Sequence, residues 1–223
     1  MSSPSQIRRI YRKLARTYGP LHWWPARTRF EVIVGAFLTQ NTSWKNVEHA
    51  LRNLRGAGVL NIVGIRRIPV GELEQLVRPS GYFRQKAARL KTFVAYLDQR
   101  HDGSLSRMFA RPLQQLRSEL LALNGVGPET ADAILLYAGK LPVFVVDAYT
   151  KRLFERHGIV PAGARYEEMR AQVESAFASF TPASDSADHY NEFHALIVQV
   201  GKDYCGKTAK CEECPLQSLL PAC

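Results

Sequence analysis

All four cysteines of the chain fall in its last 19 residues, as Cys205, Cys211, Cys214 and Cys223, spaced x5, x2 and x8. Four soft thiolates in one short loop can hold a [4Fe–4S] cluster or a single tetrahedral Zn²⁺. Such crowding, in a reducing compartment, argues against disulfides. A second group is LNGVGPETAD, Leu123 to Asp132. Gly125 and Gly127 there permit a tight turn with positive φ, and Pro128 suits the first turn of a helix. The free amides at that helix start can cradle a phosphate oxygen. Val126 would pin the hairpin by packing between its helices. An ordinary helix-turn-helix corner uses the same residues; the hydrophobic framing favours the phosphate-binding reading. A third candidate is Asp147, which follows the apolar run VFVV (143–146) and precedes the helical pattern of Tyr149, Leu153 and Phe154, the place of an N-cap. The three tryptophans, Trp23, Trp24 and Trp44, lie near one another in sequence and can face either a core or a planar ligand.

The elements that must hold these residues are helical nearly throughout. Phe30, Ile33, Val34, Phe37 and Leu38 recur with helical period, as do Val47, Ala50, Leu51 and Leu54, then Phe83, Ala87, Leu90, Val94 and Leu97, then Leu113, Leu116, Leu120 and Leu121. A linker marked by Pro and Gly separates the second and third. Shorter helices are expected near 129–138, 147–157, 166–178 and 187–203. Only VFVV reads as strand, too short and isolated to build a sheet. At the N-terminus, Ser5 can cap an amphipathic helix whose Ile7, Ile10 and Leu14 share one face while Arg8, Arg9, Arg12 and Arg16 lie off it. The expected fold is all-α, with about ten helices.

Composition narrows the class. Of 223 residues, 46% are hydrophobic and 22% charged, as in globular proteins. No apolar run approaches the roughly 18 residues of a membrane span. Thirty Lys and Arg against twenty Asp and Glu give a formal charge of +10, which attracts polyanions, nucleic acid foremost, although a basic protein need not bind one. The Arg-rich N-terminus has no apolar signal-peptide core and imitates a transit peptide only weakly, so the expected location is cytoplasmic, with the nucleoid as workplace.

LNGVGPETAD followed by LPVFVVDAYTKRLFERHG resembles the helix-hairpin-helix DNA glycosylases of the endonuclease III superfamily, and FEVIVGAFLTQNTSWKNVEHAL (30–51), GYFRQKAARL (81–90) and the cysteine tail continue the resemblance in order. In that family a Gly/Pro-rich loop, here Gly139 and Pro142, ends in an essential aspartate, here Asp147. The resemblance implies that Asp147 stabilises the oxocarbenium-like sugar formed when an N-glycosidic bond breaks, or activates water. Bifunctional members carry a nucleophilic lysine two residues after the second glycine; this chain has Glu129 there, which cannot form a Schiff base. That implies a monofunctional glycosylase, with Lys140 or Lys151 as displaced alternatives, and with Glu129 either a second acid–base group or a favourable charge at its helix start.

The segment HWWPARTRFEVIVGAFLTQNTSW is similar to the branch that removes alkylated purines such as 3-methyladenine. There the counterparts of Trp23, Trp24, Pro25 and Trp44 line the pocket for the flipped base. Gln40 matches the residue that fills the hole the base leaves, and Tyr82, after Gly81, matches a wedge from the other side. Asn41 and Thr42 would flank the pocket, and Arg84, Lys86, Arg89 and Lys91 could hold phosphates. The family places a [4Fe–4S] cluster at the cysteine tail, usually spaced x6, x2, x5; x5 and x8 depart from that pattern but keep the central CxxC and the Pro after it. Lys202, Lys207 and Lys210 would face the DNA backbone.

The resulting expectation is two helical lobes with a cleft between them. Residues 20–130 would form a six-helix lobe ending in the hairpin, and 1–19 plus 131–223 the cluster lobe. The chain would act, as a monomer, on double-stranded DNA containing damaged bases. A bifunctional glycosylase/AP lyase for oxidised pyrimidines and a non-catalytic damage-binding iron–sulfur protein are the alternatives.

Overall fold

The computed structural model describes residues 3–21, 26–178 and 182–221. Trp23, Trp24, Pro25 and Cys223 lie outside them. The described residues hold twelve α-helices and no strand; the sole β-type pairing there is an isolated bridge between Cys205 and Ala209. No helix among them is long and apolar enough to cross a membrane.

Two compact units form, 1–25 with 142–223 and 26–141. The second opens with α2 (Arg29–Leu38), capped by the Thr28 hydroxyl, which accepts from Glu31 N. Every residue of α2 after Arg29 is buried, Glu31 included. Arg55 of α3 (Trp44–Gly56) meets that carboxylate at 2.5 Å, which offsets the cost of burying its charge. Then follow α4 (Ile62–Arg67), α5 (Val70–Val77), α6 (Phe83–His101), α7 (Leu105–Phe109), α8 (Leu113–Leu121) and α9 (Pro128–Ala133), the last continuing as a π-helical turn over Ile134–Ala138.

This unit holds eight α-helices rather than six, because α4, α5 and α7 are too short to show periodicity. Its boundary at 141 also differs from the expected 130. The π turn buries Ile134, Leu135, Leu136 and Ala138 and packs on α2, so the hairpin's second helix stays with the unit that the first one ends.

In the other unit, α1 (Ser3–Tyr18) buries Ile7, Ile10 and Leu14 against α11 (Tyr166–Ala178) and α12 (Ser186–Asp203). It starts two residues before Ser5, which therefore lies inside it rather than at its cap. α10 (Ala148–Arg156) packs on α12. At Gly201 of α12 a Cβ would come within 2.3 Å of Tyr149 Cδ1, so the approach of these two helices depends on a missing side chain. VFVV is extended and unpaired: Phe144 N donates to Glu174 Oε1 at 3.1 Å and Val146 N to the Tyr166 hydroxyl at 3.3 Å, which satisfies by side chains the donors a sheet would have used.

Candidate active site and nucleic-acid contacts

Asp147 caps α10. Its Oδ1 accepts from Thr150 N at 2.8 Å and from Thr150 Oγ1 at 3.0 Å. Its Oδ2 stands 3.6 Å from His194 Nε2, beyond hydrogen-bond length but close enough for charge to act. The carboxylate side chain keeps 14% of its surface open, against 7% for His194. Burial pushes the acid's pKa up, but the imidazole and the Thr150 hydrogen bonds outweigh it and hold the carboxyl below its usual range. An ionised carboxylate, oriented by a helix start and still reachable, is what stabilising a developing cation requires. His194 was not legible in sequence, since it sits among the apolar residues of α12.

In the hairpin, Gly125 has φ +78°, a conformation that favours glycine, and a Cβ on it would fall 2.0 Å from Arg89 Nε, so the Arg89 side chain would have to move for any other residue. Gly127 differs from expectation: at φ −91° it is an extended N-cap that any residue could adopt. Val126 is buried, and Pro128 opens α9 as expected. Asp132 on α9 and Arg117 on α8 form a buried bidentate pair, at 2.7 and 3.0 Å, which locks the two hairpin helices together. Glu129 is exposed in the first turn of α9.

The neighbouring loops belong to the same unit. Gln40 Nε2 donates to Gly125 O at 3.1 Å and to Thr130 Oγ1 at 2.9 Å, while Arg89 Nη1 donates to Gln40 Oε1. Its amide is thus engaged within the protein and braces the hairpin turn. Filling a hole in DNA would require these bonds to break. Asn41 and Tyr82 have left-handed backbones, φ +52° and +46°, and Tyr82 is 63% exposed. An exposed aromatic ring on a strained residue suits a wedge. Trp44 is half-buried at the start of α3, and Thr42 accepts from Asn46.

The basic run does not act as one phosphate-binding row. Lys86 is fully buried and donates to Leu38 O at 2.9 Å and Ser80 O at 2.6 Å. Burial, with the nearby Arg89 charge adding, pushes its ammonium down to about 8. Arg89 holds Gln40, and Lys91 donates to the Arg66 and Ile68 carbonyls. Of the four, Arg84 faces solvent, 4.0 Å from Glu74. Lys151 lies 3.9 Å from Glu155, and Lys140 is exposed with φ +53°.

At the tail, Cys205 is buried, Cys211 and Cys214 are half-buried, and none forms a disulfide. Arg156 Nη1 donates to Cys205 Sγ at 3.1 Å, and Leu216 N to Cys214 Sγ at 3.4 Å. Burial pushes the Cys214 thiol up, as do the nearby Cys205 and Cys211. Among the described residues no three His, Cys, Asp or Glu side chains converge on one metal ion. Three soft thiols near one another in sequence, two of them already accepting hydrogen bonds at sulfur, are of the donor type that an iron–sulfur cluster takes.

Residues 34–179 match the profile of the HhH-GPD superfamily of base excision DNA repair proteins. The chain is 44% identical over 213 residues, 95% of its length and 94% of the other, to MJ1434 of Methanocaldococcus jannaschii, named as a candidate DNA repair glycosylase. Among solved structures it is similar to the 3-methyladenine DNA glycosylase MagIII of H. pylori bound to 1,N6-ethenoadenine, with TM-score 0.77 and 30% identity over 91% of this chain and 98% of that one. The fold also matches an endonuclease III–DNA covalent intermediate, with TM-score 0.79 and 23% identity over 99% and 96% of the two chains.

Proposed function

Because this chain belongs to the HhH-GPD superfamily of base excision DNA repair proteins, and is thus a DNA glycosylase, we propose that it works monofunctionally, releasing a damaged base by hydrolysis and leaving the abasic strand intact. The observation that carries this is the pair of carboxylates: Asp147 is held ionised at a helix start, and Glu129 stands on the hairpin where a Schiff-base lysine would be needed. Asp147 stabilises the positive charge that grows on the deoxyribose or orients the attacking water. His194 and Thr150 hold it in place.

The substrate class we propose is alkylated purine in duplex DNA. Supporting it are the segment with Trp23, Trp24, Pro25 and Trp44, whose aromatic faces favour a cationic base, and the 30% identity to a 3-methyladenine glycosylase. Gly125, Val126 and Gly127 would seat a backbone phosphate, with Tyr82 entering the stack and Gln40 and Asn41 on the opposite loop. Cys205, Cys211, Cys214 and Cys223 would hold a [4Fe–4S] cluster, which when bound supplies a rigid cross-link beneath a DNA-facing loop rather than hydrolytic chemistry.

The test is a panel of lesion oligonucleotides analysed with and without alkali. Base loss that shows as a nick only after alkali supports the proposal. A nick without alkali, trapped by borohydride as an enzyme–DNA adduct, replaces it with the bifunctional reading. Binding without any excision would favour a damage-binding protein.

A further inference from the structure

We propose that Lys86 is a positioning residue for lesion recognition: its single buried ammonium ties together the two loops that carry Asn41 and Tyr82 and so sets the gap into which a distorted duplex fits. The inference rests on the glycosylase reading above and names a residue that never meets the DNA.

Lys86 is 0% exposed. A lysine with no carboxylate among its hydrogen-bond partners is an expensive thing to bury, so its two contacts should explain what it does. One is to Leu38 O, the last residue of α2, two residues before Gln40 and three before Asn41. The other is to Ser80 O, two residues before Tyr82. Ser80 is itself fully buried, with its hydroxyl donating to Val77 O at 2.7 Å. One nitrogen thus satisfies a carbonyl at the root of each loop.

Asn41 and Tyr82 both have positive φ and neither is glycine. Such a conformation persists only where the surroundings over-determine it. Lys86, in the first turns of α6 and donating its own N–H to Tyr82 O at 3.0 Å, contacts the Tyr82 loop twice and the Asn41 loop once. Its burial also excludes it as the nucleophile that Glu129 fails to provide, because no sugar carbon can reach its nitrogen.

The test is a double-mutant cycle with Lys86→Met, which keeps the stem and removes the donors, and Tyr82→Ala. Dissociation constants are measured for a duplex carrying a tetrahydrofuran abasic analogue and for the same duplex undamaged, beside thermal unfolding. Lys86→Met should lower the preference for the analogue about tenfold while binding to undamaged duplex holds. In the Tyr82→Ala background it should lower the preference no further. Equal loss on both duplexes, or a lowered unfolding temperature with the preference intact, overturns the proposal. If Lys86→Met does not fold, Lys86→Gln takes its place, and a folded Lys86→Gln with wild-type preference has the same adverse meaning. A wild-type protein with no preference would instead count against the glycosylase reading.

Discussion

His194 Nε2 lies 3.6 Å from Asp147 Oδ2, while both Thr150 contacts go to Oδ1. One oxygen is tied to the helix start and the other is left to an imidazole and to whatever enters the site. The two oxygens therefore stand in separate environments: Oδ1 is held by the helix start, and Oδ2 is the one the proposed reaction would use.

Asp147→Asn should separate them. Asparagine caps a helix about as well as aspartate, so the unfolding temperature should stay within a few degrees of wild type. Base release under single-turnover conditions should fall by about 100-fold or more, the scale of a lost acid–base or charge-stabilising group. Duplex binding should survive. A variant that releases base at the wild-type rate would remove Asp147 from the mechanism.

The acid's depressed pKa fixes a pH response. Its folded-state pKa lies below the ordinary aspartate value of 3.8. Asp147 therefore contributes stability that is fully present above 3.8 and is lost as pH falls through the lower folded value. On the acid side, the base-release profile should not bend at the usual aspartate range. His194→Gln removes the imidazole beside the carboxylate, so the bend should move upward and neutral-pH release should slow about tenfold. An unchanged acid limb in that variant would mean the imidazole does not act on the carboxylate.

Arg117→Met takes from the buried Asp132 its bidentate guanidinium. The expected loss of stability is about 3–5 kcal/mol, read by denaturant unfolding. Pairing it with Asp132→Leu should recover much of that loss, because the buried carboxylate is removed together with its guanidinium. Equal instability in the single and double variants would show that the pair matters by shape and not by charge.

Metal content of the purified protein separates the two chemistries open to the cysteines. The expectation is iron with inorganic sulfide, and the visible absorption of an iron–sulfur cluster. Cys211→Ser should lose both, and duplex binding should weaken with them. Stoichiometric zinc in place of iron would refute the cluster.

Several of these features could be read from residue order. Asp147 was readable as a cap because an apolar run stops there and a helical period resumes, and Ile7, Ile10 and Leu14 gave the buried face of α1. His194 was hidden because it lies in a distant helix whose neighbours are apolar, and only packing brings it to Asp147. Lys86 was misread as one of a row of phosphate-binding charges. Helical spacing on α6 turns it inward, and the carbonyls that receive it belong to residues 48 and 6 positions away. Helices α4 and α5, of 6 and 8 residues, were hidden because so few turns cannot display a period.

Gly201 lies two helical turns beyond His194 on α12, with Tyr149 of α10 pressed where its side chain would be. A methyl group there would lever the two helices apart at one end and widen the space between imidazole and acid at the other. The spacing of imidazole and acid would thereby depend on an atom the chain lacks, two turns along the helix from the imidazole. Mutational surveys confined to the lining of the site would pass over it.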